Sequence, residues 1–250
     1  NLWLIEDNCD ALGSLYNNQL TGTFGDIGTL SFYPAHHITM GEGGAVFTSN
    51  FELKKIIESF RDWGRDCYCA PGADNTCGKR FEWQLGDLPK GYEHKYVYSH
   101  FGFNLKVSDM QAAVGVAQLE KFPKFVEKRK ENHQRLLVGL KGLEKYISIQ
   151  KATPNSDPSW FGFLITVNDD MKFTRNNISM FLGDNKIQTR NLFAGNILRH
   201  PLFDDMEENV DYRAIGNLPN TDKIMNDSFW IGLYPGMGDD AIDYMIKKIK

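Results

Sequence analysis

No uncharged apolar run in the sequence approaches the ~18–20 residues needed to span a bilayer. No signal peptide is recognisable, so a cytoplasmic setting is the expectation. Positive charge is not in excess: 28 Lys and Arg stand against 32 Asp and Glu, for a net charge of -4. That balance gives no reason to expect nucleic-acid binding. Internal repeats and low-complexity segments are also missing. Cysteine is scarce, with four residues in all, and in a reducing compartment disulfides between them are not expected. An initiating methionine is lacking too, and the chain opens directly on Leu2-Trp3-Leu4-Ile5. Such a run reads as a buried strand ending at acidic Glu6-Asp7. A domain rarely starts on the first residue of a central strand, so further sequence upstream is expected.

What is present is an ordinary globular composition: 42% hydrophobic, 24% charged and 13% aromatic over 250 residues. That length can bury the core of one large domain or two small ones. The first half reads as α/β. Thr29 to Tyr33 and Gly44 to Thr48 have strand character, and Phe51 to Trp63 reads as a helix with Leu53, Ile56, Ile57 and Phe60 on one face. Residues 64–103 form a long loop rich in Gly, Asp, Cys and aromatics, of a length that usually has a function or a ligand to hold it. Ser108 and Gln111 fit a capping box at the start of a helix. Pro123 predicts a kink or break, after which residues 125–145 resume as a charged amphipathic helix. Beyond Tyr146 the pattern turns to short elements, with a strand at Trp160 to Val167 and helices at Thr174 to Leu182 and Asp239 to Ile249. A domain boundary is placed at 122/123.

Three of the cysteines share one loop as Cys67-Tyr68-Cys69-x7-Cys77, and 57 residues separate Cys9 from Cys67. Four thiolates can complete a zinc site or hold a [2Fe–2S] cluster. The C-x-C pair is not the usual zinc-ribbon spacing. Spacing alone leaves cluster, zinc and free thiols all open.

A second constellation runs Ser31-Phe32-Tyr33-Pro34-Ala35-His36-His37-Ile38-Thr39-Met40-Gly41-Glu42-Gly43-Gly44. A hydroxyl at a strand end followed by a polar, Gly-rich turn suits a phosphate-bearing ligand. A core histidine pair beside a turn is the plainer reading. Asp7, at the end of an apolar strand, is either a solvated strand end or the carboxylate that meets a protonated ring nitrogen.

These residues carry a resemblance. Glu6-Asp7-Asn8-Cys9-Asp10-Ala11-Leu12-Gly13 resembles the acidic strand end of the DegT/DnrJ/EryC1/StrS sugar aminotransferase family. The run from Ser31 to Gly44 resembles the family's cofactor-lysine segment. Gly102 to Ala113 resembles its Asn-containing helix entry, and Phe229 to Gly236 a late segment. The likeness covers essentially the whole chain. It implies an α/β fold of the fold-type I PLP-dependent aminotransferase architecture, lacking its N-terminal part. Residues 1–122 would be the C-terminal portion of the large cofactor-binding domain, cysteine loop included. Residues 123–250 would be a linking helix and the small C-terminal domain.

The informative departure is His36, which stands where the family's aminotransferases have the lysine that tethers the cofactor as a Schiff base. Imidazole cannot form that bond. The replacement resembles the family's sugar 3-dehydratases. One kind acts on a GDP-linked keto-sugar without a cluster. The other acts on a CDP-linked keto-sugar and carries a [2Fe–2S] cluster on a C-x57-C-x-C-x7-C pattern, which this sequence has in full. The resemblance therefore implies dehydration and deoxygenation at C3 of a nucleotide-linked 4-keto-6-deoxyhexose, CDP-linked by overall likeness, in 3,6-dideoxysugar biosynthesis. Pyridoxamine 5′-phosphate would be the cofactor and His36 the base. Asp7, Asp10, Ser31, Tyr33 and Asn104 would contact the cofactor, Asn104 across a homodimer interface. Phe161, Arg190, Asn196 and Arg199 would border the substrate, with core packing and surface arginines as the competing readings. Cys9, Cys67, Cys69 and Cys77 would hold the cluster, reduced through an NADH-dependent flavin iron–sulfur reductase. His37 is read as structural. The alternatives are a PLP-dependent nucleotide-sugar aminotransferase, which needs lysine at position 36, and a catalytically silent homologue with structural zinc.

Overall fold

The structure, a computed structural model, describes residues 2–69 and 72–250. In chain order its strands and helices begin with β1 (Ile5–Asp7), β2 (Leu15–Tyr16), β3 (Gln19–Leu20), β4 (Ile27–Ser31), β5 (Gly44–Phe47) and α1 (Phe51–Arg61). After the long loop come α2 (Asp109–Gly139), β6 (Ile147–Ile149), β7 (Ser156–Asp157), β8 (Gly162–Val167) and α3 (Arg175–Asp184). The chain closes with β9 (Thr189–Asn191), α4 (Pro219–Asp227), β10 (Ser228–Gly232) and α5 (Asp239–Ile249). Contacts divide it into two units, one of residues 1–12 and 19–120, the other of 13–18 and 121–250.

In the first unit β4 is central, with β1 parallel on one side and β5 antiparallel on the other. The register sets Asp7 opposite Thr29 and Ser31 opposite Gly44, so both lie at one end of the sheet. The Glu6 carboxylate accepts hydrogen bonds from the backbone N–H groups of Gly22 (2.7 Å), Phe24 (2.7 Å) and Gly25 (2.6 Å). Desolvation works to raise its pKa, yet those three donors hold it below the ordinary value. This carboxylate thereby organises the turn that leads into β4. The sequence expectation of a buried first strand is not met. Leu2 and Trp3, ahead of β1, are 98% and 69% exposed, and Ile5 in β1, the sheet's edge strand, is 60% exposed.

Helix α1 starts where Asn50 Oδ1 accepts from the N–H groups of Glu52 (2.9 Å) and Leu53 (3.2 Å). It ends two residues short of the expected Trp63, which sits at φ +65° in a left-handed turn with Gly64 at φ +81°. A Cβ on Gly64 would fall on the carbonyl oxygen of His100, so only glycine lets the two arms of the long loop close on each other. The loop is accordingly ordered by isolated bridges Asp62–Asn104 and Arg65–Tyr98, not by long strands.

The capping box at α2 forms as expected: Gln111 Oε1 accepts from Ser108 N (2.9 Å), and Ser108 Oγ accepts from Gln111 N (3.4 Å). Of the kink or break expected at Pro123, the break does not occur, since α2 runs through it as one helix. Proline removes a single hydrogen-bond donor at a cost of about 3 kcal/mol, and helical turns on both sides offset it. The helix ends at Gly139 and not near 145, where the chain turns through Gly142 at φ +93°.

The second unit is built on an antiparallel sheet in the order β6-β8-β10-β9. Strand β8 alternates as its sequence predicts, with Phe163, Ile165 and Val167 facing in. Phe163 and Ile165 pack with Phe229 and Ile231 of β10, Leu136, Leu182 and Ile242. Each such buried side chain contributes roughly 1.5–3 kcal/mol. Buried Arg129 runs beneath this core and donates from Nη1 to the carbonyls of Trp160 (3.1 Å), Phe161 (3.0 Å) and Leu233 (3.1 Å). His133 stacks on Trp160 with ring centroids 3.9 Å apart, and burial pushes its pKa down to about 4. Helix α3 is entered through a reciprocal capping box between Thr174 and Asn177.

Candidate active site and cysteine loop

The end of the first unit's sheet collects carboxylates and an imidazole. Asp7 accepts from the backbone N–H of Cys9 (3.3 Å) and from the Thr29 hydroxyl (3.1 Å). The Cys9 thiol and N–H, then the Thr29 hydroxyl, hold the Asp7 carboxyl below the usual range against a small desolvation cost. Asp7 is thus an ionised acceptor at a strand end. Cys9 responds in the opposite direction: burial first, then the carboxylates of Asp7 and Asp10, push its thiol up to about 11.

His36 sits in the turn between β4 and β5. Its Nδ1 lies 2.7 Å from the Cys9 carbonyl oxygen and 3.2 Å from Asp10 Oδ1. A carbonyl only accepts, so Nδ1 carries the proton and Nε2 is the basic nitrogen. Tyr33 meets the ring edge-on at 5.9 Å. The turn is fixed by backbone bonds from Phe32 N to Gly43 O (2.8 Å), His36 N to Tyr33 O (3.0 Å) and Met40 N to Phe32 O (2.9 Å). Gln111 Nε2 ties the start of α2 to it through the Glu42 carbonyl (2.9 Å). Ser31 Oγ accepts from Tyr33 N (3.3 Å), which leaves its own O–H as a donor. An anionic carboxylate and a hydroxyl beside a tight turn fit a phosphorylated pyridine: Asp7 for a protonated ring nitrogen, Ser31 for phosphate. His37 is 3% exposed. Asn104 is exposed and bridged to Asp62.

In the second unit, Phe161 packs 5.1 Å from the Trp230 ring. Arg190 pairs with Trp230 in register between β9 and β10, its Nη1 donating to the Thr189 carbonyl (2.9 Å). Asn196 is 3% exposed and donates to Asp222 Oδ1 (2.6 Å). Arg199 forks onto the same carboxylate, from Nε at 3.2 Å and Nη2 at 2.7 Å. Asn196 and Arg199 therefore meet through Asp222, whose pKa they lower.

The cysteines do not gather into one set. Cys67 and Cys69 lie with His94, one ligand atom of each within 4.8 Å of the others. Cys77 Sγ is 3.2 Å from His94 Nε2. Cys9 instead groups with Asp10 and His36. The Thr76 hydroxyl, with the Cys77 N–H and the neighbouring thiols, draws Cys69 down to about 7, whereas burial raises Cys67. A soft thiolate donor set of this kind suits a thiophilic metal or an iron–sulfur centre. Sequence reasoning missed Thr29, Asp222 and His94. Thr29 could be found only once the parallel register was known. His94 is a lone histidine in an aromatic stretch, with no motif to mark it.

The mixed helix and sheet structure, with its strand-end acidic site and histidine turn, defines a PLP-dependent aminotransferase fold. The family model for the DegT/DnrJ/EryC1/StrS aminotransferase family matches residues 1–250, and the chain belongs to that family. It is 62% identical over 250 residues to the lipopolysaccharide biosynthesis protein RfbH of Salmonella typhimurium (strain LT2), covering 100% of this chain and 56% of that protein. It is 55% identical over 248 residues to the dTDP-4-dehydro-2,6-dideoxy-D-glucose 3-dehydratase of Saccharopolyspora spinosa, covering 99% and 53% respectively. Among solved structures, the E. coli GDP-4-keto-6-deoxy-D-mannose-3-dehydratase with bound hydrated PLP matches with a TM-score of 0.84 at 28% identity. That match covers 100% of this chain and 60% of the other. The chain thus spans little more than half the length of the relatives it matches. The relatives include both 3-dehydratases and a GDP-perosamine synthase of Vibrio cholerae. No helix among the described residues is long and apolar enough to cross a membrane.

Proposed function

We propose that this chain serves the C3 dehydration and deoxygenation of a nucleotide-linked 4-keto-6-deoxyhexose, with pyridoxamine 5′-phosphate as cofactor and a [2Fe–2S] cluster as electron source. The carrying observation is His36, an imidazole at the position of the family's lysine, with Nδ1 held by the Cys9 carbonyl at 2.7 Å. Bound cofactor supplies an electron sink at its protonated ring. Asp7 holds the ring-nitrogen proton, and Ser31 and the turn beside it hold the phosphate. His36 would take a proton from C4′ of the bound cofactor on Nε2, since Nδ1 is engaged, and imidazole suits proton transfer near neutrality. Asp10 at 3.2 Å steadies the imidazole. Tyr33 borders the ring, and Asn104 serves the phosphate of the other subunit's site in a homodimer. Phe161 and Arg190 border the substrate. Arg199 and Asn196 meet the nucleotide diphosphate, and Arg199 must then exchange its Asp222 partner for phosphate oxygens.

Loss of the hydroxyl alone does not complete deoxygenation, which needs two further electrons. Cys9, Cys67, Cys69 and Cys77 would hold the cluster that supplies them, fed by an NADH-dependent flavin iron–sulfur reductase. The reading is supported by the full four-cysteine pattern and by the similarity to 3-dehydratases. The nucleotide favoured by overall resemblance is CDP. A transaminase reading requires a primary amine at position 36, which the chain lacks. The test is anaerobic turnover with CDP-, dTDP- and GDP-linked keto-sugars, NADH and the reductase, with products read by mass spectrometry. A 3-deoxy product is expected. Amino transfer from glutamate without loss of water would overturn the reading.

A further inference from the structure

The cysteine loop buries a histidine that is not among the four cysteine ligands. His94 is 2% exposed, and its ring stacks on Trp83 with centroids 4.8 Å apart. The loop fixes it there: His94 N donates to Arg80 O (3.3 Å), and the Arg80 guanidinium pairs with Glu93 at 2.7 Å. Its two ring nitrogens differ. Nε2 lies 3.2 Å from Cys77 Sγ, whereas Nδ1 is buried with no hydrogen-bond partner among the described residues.

That asymmetry assigns the ring proton. A neutral imidazole carries one N–H and one lone pair. A proton on Nδ1 would bury a donor with nothing to receive it, and buried N–H groups without an acceptor are rarer than acceptors without a donor. A proton on Nε2 instead meets sulfur and leaves only a lone pair unshared. The chemistry of the loop agrees. A thiolate that ligates a metal has no proton to give, so in the assembled centre the Cys77 sulfur can only accept. The backbone N–H of Lys79 donates to the same sulfur at 3.4 Å. Cys77 thus receives two N–H groups, one of them from a ring shut away from water.

We propose that His94 is a positioning residue for the cluster, whose Nε2–H donates to the Cys77 thiolate and raises the cluster's reduction potential. The proposal rests on the cluster reading and keeps all four cysteines, Cys9 included, as its ligands. One electron from the reductase adds one negative charge, shared among iron and sulfur. An N–H dipole aimed at a ligand sulfur stabilises that charge, and exclusion of water strengthens the effect. The proton stays on Nε2 throughout. His94 therefore eases entry of the electron without touching cofactor or sugar.

The test is a redox titration of the anaerobically reconstituted holoenzyme, followed by electron paramagnetic resonance, with iron and acid-labile sulfide measured on each sample. His94→Phe keeps a ring to stack on Trp83 and removes the donor. Its cluster should be about tenfold harder to reduce, a potential lower by ~59 mV. His94→Gln offers an amide N–H in place of Nε2–H and should recover most of that shift, which a purely structural role would not produce. A full cluster with unchanged potential in His94→Phe, or an equal fall in His94→Gln, would overturn the proposal alone. Wild-type protein without iron and sulfide would overturn the cluster reading and the proposal with it. A second measurement does not depend on the phenylalanine variant assembling its cluster. With histidine labelled by ¹⁵N, the reduced wild type should show a weak coupling from a nitrogen not bonded to iron, absent from His94→Gln. Identical couplings in the two proteins would also overturn the proposal.

Discussion

Replacing His36 by asparagine removes the basic nitrogen while sparing most of what holds the turn in place. The asparagine amide can donate to the Cys9 carbonyl that Nδ1 now meets at 2.7 Å. The edge-on contact with Tyr33 at 5.9 Å is lost, a loss of about 0.5–1.5 kcal/mol for an aromatic pair. The His36 side chain is only 17% exposed, but its backbone bond to Tyr33 O does not depend on the side chain. Stability and cofactor binding should therefore change little. The chemistry should not survive. An amide has no useful basicity, and loss of a general base costs ~10²–10⁴ in rate, about 2.7–5.4 kcal/mol of barrier. The assay is solvent deuterium exchange at C4′ of pyridoxamine phosphate bound to the protein, followed by mass spectrometry beside a cofactor-binding titration. The expected outcome is near-normal binding with exchange slowed at least ~10²-fold. Exchange at the wild-type rate would refute the assignment and move attention to another group in the turn.

Three further outcomes are expected. Serine at Cys9, Cys67, Cys69 or Cys77 should lower iron and acid-labile sulfide after reconstitution; full iron content in all four variants would refute cluster ligation. In the metal-free protein at pH 7, Cys69, drawn down to about 7, should be alkylated by iodoacetamide far faster than Cys9, pushed up to about 11; peptide mass spectrometry reads the order, and faster labelling of Cys9 would contradict it. His133, held neutral with its pKa at about 4, takes up a proton in the unfolded chain at higher pH than in the folded one. Its contribution is intact above about pH 6.5, the reference value, and is lost as pH falls toward 4. Unfolding free energies from urea melts at pH 7.5 and 4.5 should therefore differ by about 1–2 kcal/mol more in wild type than in His133→Gln.

Local chemistry was legible where it depended on neighbours in the chain. The Ser108–Gln111 box, the alternation of Phe163, Ile165 and Val167, and the helix from Asp239 to Ile249 follow from side-chain reach and from periods of two and 3.6 residues. The four-cysteine spacing and the histidine at position 36 carry the family resemblance without any coordinates. Other features were settled by distance across the fold. Helix α2 continues through Pro123 because its flanking turns outweigh one missing donor, a balance that local propensity misjudged. Thr29 meets Asp7 only because β1 and β4 pair in parallel at that register. Asp222 occupies Arg199 from 23 residues away. His94 reaches Cys77 through a loop closed by Gly64 and by the Arg80–Glu93 pair. Sequence spacing specifies which ligand atoms a chain can offer. Only the packed backbone decides which of them converge, because convergence depends on non-local pairings that no short-range pattern encodes.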